Sequence, residues 1–283
     1  MSGRTVFGLV HQIKNSTPST TVSSNWAGFV VGNAGSFVSS TSKLSFTKVS
    51  GSWIAPTAAC TAGSASYSAF WVGLGGADPS SQALEQTGTG ADCSASGTPT
   101  YYAWYEVVPA PSKTVKLKVF PGDTISASVA VSGKKVTVLI RNVTRGTKFT
   151  KILKVAKPDR SSAEWIAEAP SACTSNNFCR TLPLANFGTV SFSKSLASVK
   201  GHTGSISDAR WPTTSIELQS DGGTFSGGGH HFAPTIQSGS ATPSDLSPDG
   251  TSFSVAWQAP TQAPPPTQPS PGPSPPSPEP PTP

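Results

Sequence analysis

A few acidic and amide side chains stand inside aromatic, strand-like runs, where an ionisable group must be desolvated and hydrogen-bonded. They occur in Ala83-Leu84-Glu85-Gln86-Thr87-Gly88, in Tyr101-Tyr102-Ala103-Trp104-Tyr105-Glu106 and in Ala163-Glu164-Trp165-Ile166-Ala167-Glu168. A carboxylate can take a proton from water and later hand it to a leaving amine. A primary amide can accept through its oxygen and donate through its NH2 at once, so it can orient a water or a developing oxyanion. Other nucleophile and metal patterns are missing from the sequence: Gly-x-Ser-x-Gly, His-Glu-x-x-His and a phosphate-cradling glycine loop. His230 and His231 are adjacent without an obvious third ligand, so neither a metal nor a cofactor is expected.

The elements that must position these groups read as short strands. Leu44–Trp53, Ser68–Leu74, Tyr101–Val108, Thr114–Val119, Thr124–Val131, Lys135–Asn142, Lys148–Val155, Glu164–Glu168, Thr189–Phe192, Ser215–Leu218 and Thr251–Trp257 are rich in Val, Ile, Thr, Phe or Tyr. Most alternate. A period of two puts Glu164, Ile166 and Glu168 on one face, with Trp165 and Ala167 on the other. It also groups Tyr102, Trp104 and Glu106. Turns such as Pro121-Gly122-Asp123 and Ser132-Gly133-Lys134 separate the strands, and no candidate helix exceeds a few turns. The expected class is all-β, two packed antiparallel sheets.

Of 283 residues only 12% are charged and 35% hydrophobic, which excludes a coiled coil and a highly charged disordered chain. Thirteen of the 27 prolines lie between Pro260 and Pro283. The expected organisation is therefore an N-terminal arm or precursor remnant at 1–21, a β-sandwich domain at 22–258 and a Pro-rich spacer at 259–283, a spacer of the kind that leads to a further module. All 20 Lys and Arg fall at or before Arg210. They do not interleave with aromatics as a nucleic-acid surface would, and no apolar run is long enough to span a membrane, so neither partner is expected. The scarcity of carboxylates suits a protein working in acid. Cys60, Cys93, Cys173 and Cys179 lack the tight spacing of a zinc site and allow three pairings. The simplest joins Cys60 to Cys93 and Cys173 to Cys179 in an oxidising compartment. Low charge and many Ser, Thr and Gly point to a monomer.

Five segments in order carry a family resemblance: Ser24-Asn25-Trp26-Ala27-Gly28, Phe70-Trp71-Val72-Gly73-Leu74, Leu84-Glu85-Gln86-Thr87-Gly88, Ala103-Trp104-Tyr105-Glu106 and Ala163-Glu164-Trp165-Ile166-Ala167-Glu168. Spread over roughly residues 22 to 257, they resemble the glutamic peptidases known as eqolisins. The resemblance implies a concanavalin-like sandwich of two sheets of about seven strands each. It implies cleavage of polypeptides in acid by a glutamate and a glutamine, here Glu168 and Gln86, and export to an acidic extracellular medium. It also implies cleft positions for Trp26 and Trp71; on the strand face that carries Trp104, Glu106 is the candidate for a protonated or hydrogen-bonding partner lining the cleft. Where the family carries an Asp before Ala-Trp-Tyr-Glu, this chain has Tyr102.

Two other readings compete. A jelly-roll glycoside hydrolase would need paired glutamates. Glu164 and Glu168, roughly 13 Å apart along one strand, are too distant for a retaining pair, which leaves Glu106 with Glu168. A noncatalytic carbohydrate-binding module would need Trp26, Trp53, Trp71 and Trp104 as an apolar platform.

Overall fold

A computed structural model describes residues 18–32, 44–78, 81–173, 179–219, 232–233 and 239–260. In chain order the strands are β1 (Ser19–Ser23), β2 (Trp26–Gly32), β3 (Phe46–Ile54), β4 (Ala69–Leu74), β5 (Glu85–Cys93), β6 (Pro99–Val107), β7 (Ala110–Val115), β8 (Thr124–Ser132), β9 (Lys135–Asn142) and β10 (Thr147–Lys154). There follow β11 (Ser162–Glu168), β12 (Ser171–Cys173), β13 (Cys179–Thr181), β14 (Thr189–Val199), β15 (His202–Ser205), β16 (Thr213–Leu218), β17 (Phe232–Ala233), β18 (Ser240–Pro243) and β19 (Phe253–Gln258). Alternation sets the faces. In β8 and β9 the branched residues Ile125, Val129, Val131, Val136, Val138 and Ile140 are buried, while the intervening Ser, Thr, Lys and Arg face outward.

The fold is all-β and almost wholly antiparallel; among the described strands only β1 with β16 and β13 with β17 run parallel. Two separate sheets of about seven strands were expected, and here the structure differs. One hydrogen-bonded path runs β10-β9-β8-β3-β14-β19-β18-β16-β2-β11-β4-β5-β6-β7, with β1 beside β16 and β15 beside β14. The cause is the pairing of β18 with β19. β19 also pairs with β14 and β18 with β16, so backbone hydrogen bonds continue from one layer into the next. A second, three-stranded sheet joins β12, β13 and β17.

The path doubles over and encloses the main core between its halves. Phe29, Phe70, Val72, Leu74 and Trp165 from one half meet Val49, Ile125, Val138, Phe192 and Phe253 from the other. Two indoles lock the layers: Trp165 Nε1 donates to the Ser50 carbonyl at 2.8 Å, and Trp53 Nε1 to Thr89 Oγ1 at 2.9 Å. Each satisfies a polar group that burial would otherwise strand.

Some expectations shift. The run Thr114–Val119 is not one strand: β7 ends at Val115, and Leu117 and Val119 enter the core from a loop. Asp123 pins that loop, its Oδ2 accepting from the Phe120 N–H at 2.9 Å, Asn142 Nδ2 at 2.7 Å and Arg145 Nε at 2.8 Å. Cys60 and Cys93 form a disulfide. Cys173 stands opposite Cys179 in the β12–β13 register, but their side chains lie outside the described residues. Residues 1–17 of the arm, His230-His231 and the spacer from 261 onward also lie outside them. No described helix is long and apolar enough to cross a membrane.

Candidate active site

The main core uses one face of β2, β11, β4, β5 and β6; the candidate groups occupy the other. Residues directly opposite on paired strands share a face, and the register sorts this second face into three rows. The first holds Trp26, Glu168, Ala69, Gly90 and Tyr102. Next come Gly28, Ile166, Trp71, Gly88 and Trp104, then Val30, Glu164, Gly73, Gln86 and Glu106. Glycines bring the strands close: a Cβ on Gly28, whose φ is 143°, would sit 2.1 Å from the Trp165 carbonyl oxygen. Trp26, Val30, Trp71, Trp104, Ile166 and Ile216 form a separate apolar cluster here.

Glu168 ends β11 and is partly accessible, unlike Glu164, which has no exposed surface. Trp71 Nε1 donates to Glu168 Oε2 at 2.8 Å and Asn25 Nδ2 to Oε1 at 3.3 Å, with Trp26 as a further donor. Ser23 holds Asn25, its hydroxyl donating to Asn25 Oδ1 at 3.1 Å and accepting the Trp26 N–H at 3.1 Å. Burial and, after it, the charge of Glu106 push Glu168 up to about 8, against these donors.

Gln86 lies two strands from Glu168 and four residues along, with β4 between them. Trp71 occupies that interval: its indole N–H reaches Glu168, and its six-membered ring lies over Gly73, the residue opposite Gln86. Gln86 Nε2 donates to Glu106 Oε2 at 2.6 Å, while its buried Oε1 has no hydrogen-bond partner among the described residues. Burial also raises Glu106, partly offset by the Gln86 amide and the Ser112 N–H. The second face thus carries two carboxyls that sense each other and an amide anchored through its nitrogen.

Two further acids are buried at the Gln86 end. Glu85 and Glu164 are fully buried, with no hydrogen bond of ordinary geometry among the described residues. Desolvation pushes Glu85 up to about 8 and Glu164 well above the usual range, the Asp159 N–H and the Ser162 hydroxyl compensating only in part. Neighbouring Asp159 goes down: desolvation raises it, but Ser81 Oγ, the Ser161 N–H at 2.9 Å and the Gly76 N–H at 3.1 Å outweigh that. Asp159 also edges a groove of about 880 Å³ that includes Ser81, Ala83, Val107 and Lys157 but none of Gln86, Glu106 or Glu168.

The expected site residues Trp26, Trp71, Trp104, Glu106, Gln86 and Glu168 therefore share one sheet face. The tryptophan platform of a carbohydrate-binding module is absent. Trp26, Trp53 and Trp71 are at most 1% exposed and Trp104 6%, and Trp53 faces the main core. Asn25 and Asp92 were not singled out from the sequence; both are short polar residues whose partners are distant in the chain. Among the described residues no cluster of His, Cys, Asp or Glu could hold a metal ion.

A family model described as the Peptidase A4 family matches residues 24–227. Among solved structures, scytalido-glutamic peptidase with a transition-state-analogue inhibitor is 26% identical, with a TM-score of 0.60, 83% of this chain and 98% of that one being covered. SCP-B, an eqolisin bound to the tripeptide Ala-Ile-His, is 25% identical, with a TM-score of 0.53 over 83% of this chain and 98% of that one. Aspergilloglutamic peptidase from Aspergillus niger is 25% identical, with a TM-score of 0.53 over 68% of this chain and 99% of that one. Comparison with curated proteins gives no match.

Proposed function

This chain belongs to the peptidase A4 family, the eqolisins, and is a hydrolase of the acid-protease type; from that premise we propose that it cleaves polypeptides with Glu168 as the base and Gln86 as the oxyanion donor. The observation that carries the reading is the Gln86 amide, buried on the same face as Glu168, its nitrogen anchored on Glu106 and its oxygen without a partner among the described residues. A water between Gln86 Oε1 and Glu168 would lose a proton to the carboxylate as its oxygen attacks the peptide carbonyl. The second hydrogen of Gln86 Nε2 would receive the oxyanion, and Glu168 would return the proton to the leaving nitrogen. Trp71, Trp26 and Asn25 aim the Glu168 carboxylate. Glu106 fixes which end of the amide faces the water. We extend the proposal to secretion into an acidic medium and action as a monomer.

The raised Glu168 fits this role when the two carboxyls titrate as a pair. Doubly ionised, they put a second negative charge beside the oxyanion; doubly protonated, they leave no base. The working form holds one proton shared by the pair, and the reactive arrangement is the one with that proton on Glu106 and Glu168 ionised. Activity should then rise as pH falls through the first protonation, at or below about 8, and fall when the second proton binds. A kcat/KM profile on an unstructured peptide from about pH 2 to about pH 8 tests this. Glu106→Gln should keep the acid limb and lose the alkaline one wherever circular dichroism shows the fold intact; an unchanged alkaline limb would refute the pairing. Gln86→Ala should lower kcat/KM by about 10²- to 10³-fold, the typical effect of removing one oxyanion donor. Near-normal turnover in that variant would rule Gln86 out.

A further inference from the structure

Tyr102 lies in the same row as Glu168, with Ala69 and Gly90 between them on β4 and β5. Between carboxylate and phenol this row presents only a methyl group and a hydrogen. The ring leans over the glycine: a Cβ built on Gly90 would stand 2.3 Å from Tyr102 Cζ and 2.6 Å from the hydroxyl oxygen. Gly90 is therefore the space into which the phenol fits, and no other residue there would admit it. The hydroxyl hydrogen-bonds to Asp92, whose Oδ1 also accepts the Ser68 N–H at 3.3 Å. The ring also packs against the apolar cluster that contains Trp26, Trp71 and Trp104. Apolar packing and the Asp92 anchor hold it in place, while its partial exposure leaves it open to a ligand.

We propose that Tyr102 determines specificity, its ring forming the far wall of the subsite beside Glu168 and restricting it to small substrate side chains. The inference rests on the Glu168 and Gln86 reading. A peptide presented to those two groups is extended, and its successive side chains point to opposite sides. The side chain that descends toward Ala69 has Glu168 on one side and the Tyr102 ring on the other. A branched or aromatic group would have to displace a phenol packed on glycine and bonded to Asp92. In a closed apolar pocket even one methylene changes the rate by roughly 10- to 200-fold.

The test compares peptide pairs that differ only by Ala or Phe at each residue flanking the scissile bond. kcat/KM is measured in acid for the unmodified enzyme, Tyr102→Ala and Tyr102→Phe. The unmodified enzyme should favour Ala over Phe by about 10-fold or more at one of the two positions. Tyr102→Ala should move that ratio toward Phe by a similar factor. Tyr102→Phe, which keeps the ring and loses the Asp92 bond, should retain the preference for Ala. An equal fall for both peptides in Tyr102→Ala marks a merely structural residue and overturns the proposal, as does an unmodified enzyme that favours Phe at both positions. Should Tyr102→Ala fail to fold, Tyr102→Leu shortens the wall while keeping apolar contact, and its ratio decides by the same criterion. Absence of any acid cleavage by the folded, unmodified enzyme would instead sink the underlying dyad.

Discussion

Glu168→Gln is expected to lower kcat/KM by about 10⁴-fold, the upper end of what one positioned acid–base group contributes, with the fold retained. The substitution removes both proton transfers assigned to this residue while leaving its size and its contact with Trp71 nearly unchanged. Glu164→Gln is the matched control. That residue lies on the same face of β11 but has no exposed surface, so its effect in acid should be small. Single-turnover cleavage of a peptide separates chemistry from product release, and circular dichroism with thermal unfolding confirms that each variant is folded. If the Glu168 variant turned over within tenfold of the parent, the base would have to be sought elsewhere on this face, with Glu106 first in line.

The second large effect concerns stability. Glu85 and Glu164 are enclosed without a cation among the described residues, and both hold their protons far above the usual carboxylate range. A carboxyl raised in the folded state contributes stability that is complete below its unfolded pKa and is lost as pH climbs through its folded pKa. For Glu85 the window runs from about 4.5 to about 8, corresponding to on the order of 5 kcal/mol. Glu164 adds a loss of the same sign that continues further, and Glu168 shares the lower window. Asp159, held below its ordinary value, acts oppositely and only in strong acid. Total stabilities of about 5–15 kcal/mol leave little margin against such losses. Denaturant unfolding at about pH 4 and about pH 8 should therefore show a steep alkaline loss. The double variant Glu85→Gln with Glu164→Gln should recover more than half of it while changing the acid value little. Identical pH dependence in parent and variant would mean that these carboxyls are not what limits the fold in alkali.

How much of this could be read from the sequence differs between elements for physical reasons. β8 and β9 were plain because one face is buried and the other wet, so polarity alternates. β2 was not, since all seven of its residues are buried and Gly28 and Gly32 interrupt the pattern. The common face of Tyr102, Trp104 and Glu106 followed from a period of two, but their placement beside Gln86 is a register across β5 and β6 that no local pattern encodes. Glu164 and Glu168 have the same type and face, and what separates them is solvent access, a property of the packing. The continuity of the sheet was equally out of reach, because it depends on the four residues of β18 finding both β16 and β19.

Among the described strands, a single ribbon leaves two free flanks on its main path, β10 and β7, where two separate sheets would leave four. Lys148, Lys151 and Lys154 occupy one, and Pro111 and Lys113 the other. Prolines and ammonium groups discourage a stray strand from docking. As the medium acidifies, surface carboxylates lose their charge while lysines keep theirs, so copies of the molecule repel one another more strongly. The same flanks would then turn away partly unfolded chains, which would give this β-rich protein colloidal protection in acid.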